Sequence, residues 1–412
     1  FGTRRQRQMC IRDRYGNNGI VAGLFLEFVD FDSLGNGREV YPEGSPYRVR
    51  HARLRERFGD LFAWTRARGM RVYLRTDMLT LSEPLRRRLL ALPGGMDPRN
   101  PELWAVYRAG LEEVFAALPV DGLVLRIGEA GPLYNRPQQG YWSEMHVDDP
   151  ASLRAMLNGL LPAFEATGRT LIFRSWSVGL GELGELHTDP AVYAAALDGI
   201  DSPNLVVSTK FTAGDFYSYL PLNPTLLAGR HRRIVEFQAR REYEGFCAFP
   251  NYCGPLHQAA LQEILRSNSR VEGTYLWTQD GGPLRAGPLS LYPRHGFWLW
   301  TDANVYATSR LALDPWRDLE AVTREWAAGC FGPDPEIVDA VVSVLGESRA
   351  AVEGGLYIRP FAERSLRVAG IEVPPMLWIL EWDMVGGWNA VCSLVYRECR
   401  EDLPGAVAGG RE

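Results

Sequence analysis

Asp121-Gly-Leu-Val-Leu-Arg-Ile-Gly-Glu129-Ala-Gly-Pro-Leu-Tyr-Asn135 decides how the rest of the chain is read. Leu123, Val124, Leu125 and Ile127 form a short apolar run of the kind that makes a buried strand. A turn-prone Asp-Gly introduces the run, and the Gly128 to Pro132 segment closes it. Glu129 sits at the closing end among small residues. In a parallel α/β fold the loops that follow the strands' C-terminal ends carry the chemistry. Glycines there allow a substrate to approach the backbone closely. A carboxylic acid in such a loop, partly desolvated, retains its proton to higher pH and can act as a general acid. The competing reading is a loop glutamate that pairs with Arg126 or faces water.

Outward from this stretch the pattern repeats. Strands are predicted at Ile20 to Phe31, Met70 to Met78, Asp121 to Glu129, Thr170 to Trp176, Leu205 to Phe211, Arg233 to Ala239 and Val271 to Gln279. Helices are predicted within Val49 to Arg68, Glu102 to Leu118, Ser152 to Thr167, Pro190 to Leu197 and Leu256 to Ser267. Gly69 ends the first helix, and Trp104, Leu111 and Phe115 line the apolar side of the second. Seven strands alternating with helices imply a parallel sheet. No Gly-x-Gly-x-x-Gly follows the first strand, which argues against a doubly wound nucleotide fold. The fold class expected is α/β, a (β/α)8 TIM barrel with its first strand missing, over residues 15–296. From residue 297 strand signals fade and helical stretches follow at Phe297 to Ala312, Leu319 to Phe331, Pro335 to Val352 and Val385 to Cys399. Residues 297–412 are therefore expected to form an α-helical C-terminal region, with a disordered tail from Pro404.

Phe1 to Arg14 is basic, has no apolar period and no signal-peptide core. It is expected to be a non-native or disordered leader, since Met9-Cys-Ile-Arg-Asp13 looks like translated adapter sequence. Localisation is accordingly left open. Hydrophobic residues make up 46% and charged residues 23% of 412, which is ordinary for a globular protein. A net charge of −5 argues against a nucleic-acid partner, and no apolar run reaches membrane-spanning length. The six cysteines lack metal-type spacing and read as structural thiols. The six histidines show no HExxH spacing, so no metal and no cofactor is expected.

Polar residues gather at the strands' C-terminal ends. Arg174 and Trp176 share a face of their strand by alternation. Lys210 ends the next strand, and Asp215 follows five residues later in a Gly-containing loop. Glu236, Gln238, Arg240 and Glu242 share parity, whereas Val235, Phe237 and Ala239 face the outer helices. Tyr275, Trp277 and Gln279 repeat that pattern on the last strand. A purely structural barrel would fill such inward positions with Val, Ile and Leu. Taken singly, each polar residue reads equally as an ion pair at the barrel mouth. Together, and interleaved with aromatics, they read as a site for a hydroxylated substrate. Several carboxylates from different strands, with no nucleophile elbow, point to acid–base hydrolysis of a glycosidic bond. Trp142, Trp176 and Trp277 are candidate platforms for sugar rings.

The order of these motifs resembles the α-glucuronidase family of glycoside hydrolases, family 67, from about Gly19 to about Phe331. The resemblance rests on Asp-Gly-Leu-Val-Leu-Arg-Ile-Gly-Glu129, Leu-Ile-Phe-Arg174-Ser-Trp and Val-Ser-Thr-Lys210 with Asp215-Phe. It rests also on Val-Glu-Phe-Gln-Ala-Arg-Arg-Glu242-Tyr-Glu-Gly and Asn304-Val-Tyr-Ala-Thr-Ser-Arg-Leu-Ala-Leu-Asp-Pro315. It implies a barrel followed by helices, with Glu129 as general acid and Asp215 and Glu242 supplying the base that activates water, with inversion. Should Glu242 point outward, Glu236 takes the base role. Arg174 and Lys210 match residues that hold the sugar, and Trp176, Glu236, Gln238 and Trp277 complete the expected substrate contacts. The loops after Glu129 and before Asp215 depart from the family pattern, so catalytic machinery transfers better than sugar specificity. The expected partner is a carbohydrate or oligosaccharide substrate, and the C-terminal helices are a candidate homodimer face. The rival readings are a non-catalytic carbohydrate-binding barrel, a glycosidase for another sugar, or a lyase, for which no metal or phosphate signature is found.

Overall fold

The computed structural model describes residues 15–35, 39–127, 140–177, 181–241, 243–278, 298–364, 367–368, 371–372, 393 and 396–411. Among the described residues seven strands of one sheet are linked through helices, except that β5 runs to β6 through a loop with a 3-10 turn: β1 (Gly19–Ala22), α1 (Pro46–Arg66), β2 (Arg71–Asp77), α2 (Glu83–Leu90), α3 (Pro101–Ala117), β3 (Gly122–Arg126), α4 (Pro150–Thr167), β4 (Thr170–Arg174), α5 (Pro190–Leu197), β5 (Leu205–Lys210), β6 (Arg232–Gln238), α6 (Gly254–Ser267) and β7 (Val271–Trp277). The sheet order is β1 through β7 in sequence. A doubly wound sheet reverses its order at a switch point, whereas consecutive order is the winding of a (β/α)8 barrel. Among the described residues the fold is an incomplete (β/α)8 barrel, with β1 and β7 at the ends of the strand order, followed by a helical region. The described helices of that region are α7 (Trp298–Leu313), α8 (Leu319–Phe331), α9 (Pro335–Leu356), α10 (Arg359–Glu363) and α11 (Leu403–Gly409), with a short antiparallel pair of strands, Arg367–Val368 and Ile371–Glu372, between the last two.

Two compact units make up the chain: Phe1–Thr209 with Arg230–Arg233, and Lys210–Gly229 with Ile234–Glu412. In the first, the core joins Leu74, Leu123, Leu125, Leu171, Phe173 and Val207 of the strands to Trp104, Leu111, Phe115, Leu157 and Phe164 of the helices. In the second, Val235 and Phe237 of β6 pack with Leu261 and Ile264 of α6. That leaves Glu236 and Gln238 on the opposite face of β6, because side chains alternate along a strand.

Helix starts are set by a recurring pair, a polar cap followed by proline. Ser45-Pro46, Asn100-Pro101, Asp149-Pro150, Asp189-Pro190 and Asp334-Pro335 each place a side-chain acceptor on an amide of the first turn. These pairs begin α1, α3 and α4 one to three residues earlier than apolar periodicity alone indicates. The Ser82 cap with Glu83-Pro84 starts α2, which the apolar pattern did not reveal.

Two expectations are corrected. Ile20 to Phe31 is not one strand: β1 ends at Ala22, and the chain passes through a 3-10 turn at Leu26–Phe28. Phe25, Leu26, Phe28, Val29 and Phe31 are all buried on this irregular path, so their apolar run records burial rather than pairing. The tail from Pro404 is also ordered, since α11 carries that proline in its first turn, where its missing amide costs nothing. The expected leader, residues 1–14, and most of the expected helix at Val385 to Cys399 lie outside the described residues.

Gly122 opens β3 rather than completing a turn. A β-carbon there would stand 2.0 Å from the Thr170 carbonyl oxygen of β4. Asp121 beside it accepts from the Val72 amide through its side chain (2.8 Å) and from the Thr170 amide through its carbonyl (3.0 Å), joining β2, β3 and β4 at their starts. Because the obstacle is backbone, Gly122→Ala should cost about 3 kcal/mol or more, at the upper end of overpacking effects. Denaturant unfolding would check this, and a variant within about 0.5 kcal/mol of the parent would contradict the close approach.

Candidate active site

In the first unit the register of the parallel strands brings polar residues into one row. Asp77 pairs with Arg126, Arg126 with Arg174, and Arg174 with Ser208, at the C-terminal ends of β2, β3, β4 and β5. Arg126 forks onto the Asp77 carboxylate, with Nη2 3.1 Å from Oδ2 and Nε on Oδ1. Ser143 also donates to Asp77, at 3.3 Å. Arg174 is buried at 3% exposure, and Trp176 is buried with its ring 4.6 Å from that of His187. Trp142 is half-buried, and its indole N–H donates to Glu144 at 3.1 Å. Glu129, three residues beyond Arg126, lies outside the described residues.

In the second unit Lys210 and Asp215 come together. Lys210 Nζ donates to Asp215 Oδ1 at 2.7 Å, and the Phe216 amide donates to the same oxygen at 2.9 Å. Tyr243 Oη donates to Oδ2 at 2.6 Å. The Lys210 ammonium also lies 4.7 Å from the centroid of the Phe216 ring, within cation–π range. The loop holding Asp215 is folded back on itself: Thr212 bridges to Leu222, and Asn223 donates to the carbonyls of Lys210 and Thr212. Lys210 is the single lysine among the 45 basic Lys and Arg residues of the chain. A compact ammonium serves here where a planar guanidinium is used everywhere else.

Glu236 is fully buried and accepts from the Trp277 indole N–H at 3.0 Å, so these two expected substrate contacts bond each other. Gln238 is buried two residues further along. Glu242 and Gln279 lie outside the described residues.

Beyond the residues singled out from the sequence, a buried ion pair joins the two loops. Arg241 Nε and Nη2 bond Glu244 Oε2 at 2.8 and 2.7 Å, and both side chains are wholly buried. Asn251 donates to the same oxygen at 2.7 Å. The Ser218 amide (2.9 Å) and the Tyr357 hydroxyl bond Oε1. Arg241 Nη2 also reaches the Phe216 carbonyl at 2.7 Å. Arg241 has a left-handed backbone, φ 54°, which is strained for a residue with a side chain. The sequence signal for Arg241, Tyr243 and Glu244 is their place in the stretch Val-Glu-Phe-Gln-Ala-Arg-Arg-Glu242-Tyr-Glu-Gly, whose expected site residues do not include them. Tyr357, 113 residues from Glu244, gave no such signal.

The helical region fastens the same segment. Asn304 donates to the carbonyls of Ala239 and Asn251, each at 2.9 Å, and accepts from the Cys253 amide at 2.8 Å. Tyr252 is held by Ser348 and Thr323, and His257 by Thr308. Burial drives His257 well below the ordinary imidazole range, so it serves as a neutral hydrogen-bonding group.

The chain resembles the carbohydrate-active barrels of the glycoside hydrolase class. Within that class the chain is a distant match to glycosyl hydrolase family 67. Residues 298–363 match the family described as "Glycosyl hydrolase family 67 C-terminus". A probable α-glucuronidase A of Aspergillus clavatus is 30% identical over 173 residues, covering 38% of this chain and 20% of that protein. An α-glucuronidase of Hypocrea jecorina is 27% identical over 244 residues, covering 55% of this chain and 27% of that protein. The alignments thus span about a quarter or less of these relatives. A solved GH138 enzyme targeting pectin rhamnogalacturonan II shares the fold, with a TM-score of 0.53 and 13% identity over 87% of this chain and 40% of that one. No described helix is long and apolar enough to cross a membrane.

Burial alone would raise the Glu244 carboxyl, but Arg241 and the hydrogen bonds from Ser218, Tyr357 and Asn251 outweigh it and hold the group below the ordinary carboxylate range. The unfolded chain therefore binds this proton more readily than the folded one. Glu244's contribution to stability is present above the ordinary carboxylate pKa and is lost as pH falls through the lowered value. Glu244→Gln should flatten the acid side of the stability curve, seen as unfolding midpoints that change less between about pH 6 and 3 than in the parent.

Proposed function

We propose that this chain hydrolyses glycosidic bonds in the manner of an inverting α-glucuronidase. The observation that carries this reading is the Asp215 carboxylate, gripped by Lys210, the Phe216 amide and Tyr243. Three donors, one from the end of β5 and two from loops, fix its orientation, which is what a group that must take a proton from a positioned water requires. Glu129 donates a proton to the glycosidic oxygen as the bond to the anomeric carbon breaks. Asp215 removes a proton from the water that attacks the opposite face, so the configuration inverts; Glu242 is the alternative base. An inverting pair stands roughly 6.5–9.5 Å apart to admit that water. Arg174 and Lys210 match the basic residues that hold the sugar in the resembled family, and a cation of either kind suits the carboxylate that distinguishes a uronic acid from a neutral sugar. The distant match to family 67 supports the reaction class.

Asp215→Asn should lower kcat about 10²–10⁴-fold on alkyl and aryl α-glucuronides alike, because water activation is common to both. Glu129→Gln should abolish turnover of the alkyl substrate and largely spare aryl substrates, whose leaving groups need no proton. Proton NMR of a fresh reaction should show the inverted anomer. Retention of configuration, or full activity in Asp215→Asn, would overturn the reading.

A further inference from the structure

We propose that the helical C-terminal region positions the water-activating loop, with Tyr357 acting as a positioning residue for Asp215 through Ser218 and the Arg241–Glu244 pair. This rests on the role proposed above for Asp215. Ser218 lies three residues after Asp215, and each of its polar groups is held. Its amide is shared between Glu244 Oε1 and Tyr357 Oη, each at 2.9 Å. Its hydroxyl accepts from Arg241 at 3.2 Å, and its carbonyl accepts from Arg349 of α9 at 3.3 Å. Arg241 also holds the carbonyl of Phe216, the residue whose amide bonds Asp215. On the other side, Arg241 and Glu244 bracket Glu242 and Tyr243, and Tyr243 reaches back to Asp215. One buried pair therefore fixes both loops that meet at this carboxylate, and Tyr357 and Arg349 fix the pair and the loop from the helical region.

The energetics favour a positional role. A buried ion pair is a poor source of net stability, because desolvation offsets most of the attraction and an apolar pair of similar volume often serves as well. Apolar side chains cannot direct hydrogen bonds onto the backbone of two separate loops. The strained backbone at Arg241 is held at the same point. Misplacing a reacting group by about 1 Å can cost about 10²-fold in rate, so loss of one tether should register in turnover.

The test is a double-mutant cycle in the full chain. The variants are Tyr357→Phe, Asp215→Asn and the two combined. The assay is hydrolysis of an aryl α-glucuronide well below each variant's melting temperature. Tyr357→Phe removes one hydroxyl and should lower kcat about 10–10²-fold with KM changed less than about twofold. In the Asp215→Asn background the same substitution should have no further effect, since it acts through Asp215. A merely structural role would lower the melting temperature and leave kcat unchanged, or would multiply with Asp215→Asn, and either result overturns the proposal. If Asp215→Asn itself is fully active, the water-activating role fails and this inference fails with it. If Asp215→Asn is crippled while Tyr357→Phe is normal, only this inference fails. Should Tyr357→Phe not fold, Arg349→Met withdraws the donor to the Ser218 carbonyl and enters the same cycle with the same outcomes.

Discussion

Between β3 and β4 the backbones meet where only a hydrogen atom fits, at Gly122 against the Thr170 carbonyl. That approach fixes which residues of the two strands face each other. The register then carries upward to Arg126 opposite Arg174, with Asp77 on one side and Ser208 on the other. A one-residue slip would turn every side chain to the other face, sending the arginines toward the helices and the leucines toward the interior. The polar row at the strand ends is thus a consequence of a steric fit at the strand starts.

A different constraint governs the second unit. Its loops are long and rich in backbone groups that no strand satisfies, so side chains supply the missing partners. Asn304 alone satisfies three backbone groups, and Asn223, Arg241 and Glu244 do the same for the loops around Asp215. Removing such a side chain strands a buried amide or carbonyl, which costs about 1–3 kcal/mol each. A polar side chain of defined length is therefore required at each of these points. The part of the chain that matches family 67, residues 298–363, contains Asn304, Ser348, Arg349 and Tyr357, all engaged in this way, and Thr308 and Thr323, which bond the side chains of His257 and Tyr252.

The strands were legible because buried apolar runs such as Leu123 to Ile127 have few alternatives, and the helical texture after Gly296 was legible for the same reason. Strand ends were less so. The run to Phe31 is apolar because it is buried, and burial does not distinguish a strand from an irregular segment packed under a sheet. Asp121-Gly122 carries the composition of a turn but serves as a strand start, because what demands glycine is a neighbouring carbonyl and not a positive φ. At the candidate site the sequence brought out Lys210 and Asp215, which are five residues apart and bonded to each other. Glu236 and Trp277 were also brought out, and what they touch is each other. Hidden from the sequence was the Tyr357 contact, since nothing local marks a tyrosine that finds its partner 113 residues away.

Lys210 stands alone as a side-chain amine in 412 residues. Guanidinium groups are inert to the acylating and reductive-alkylating reagents that modify amines. On this chain such a reagent would meet only the α-amine and one ammonium that is 6% exposed and already bonded to Asp215. The chain thus carries one lysine label. An isotopically methylated Lys210 would give one side-chain resonance, beside that of the methylated α-amine, reporting on the carboxylate it bonds.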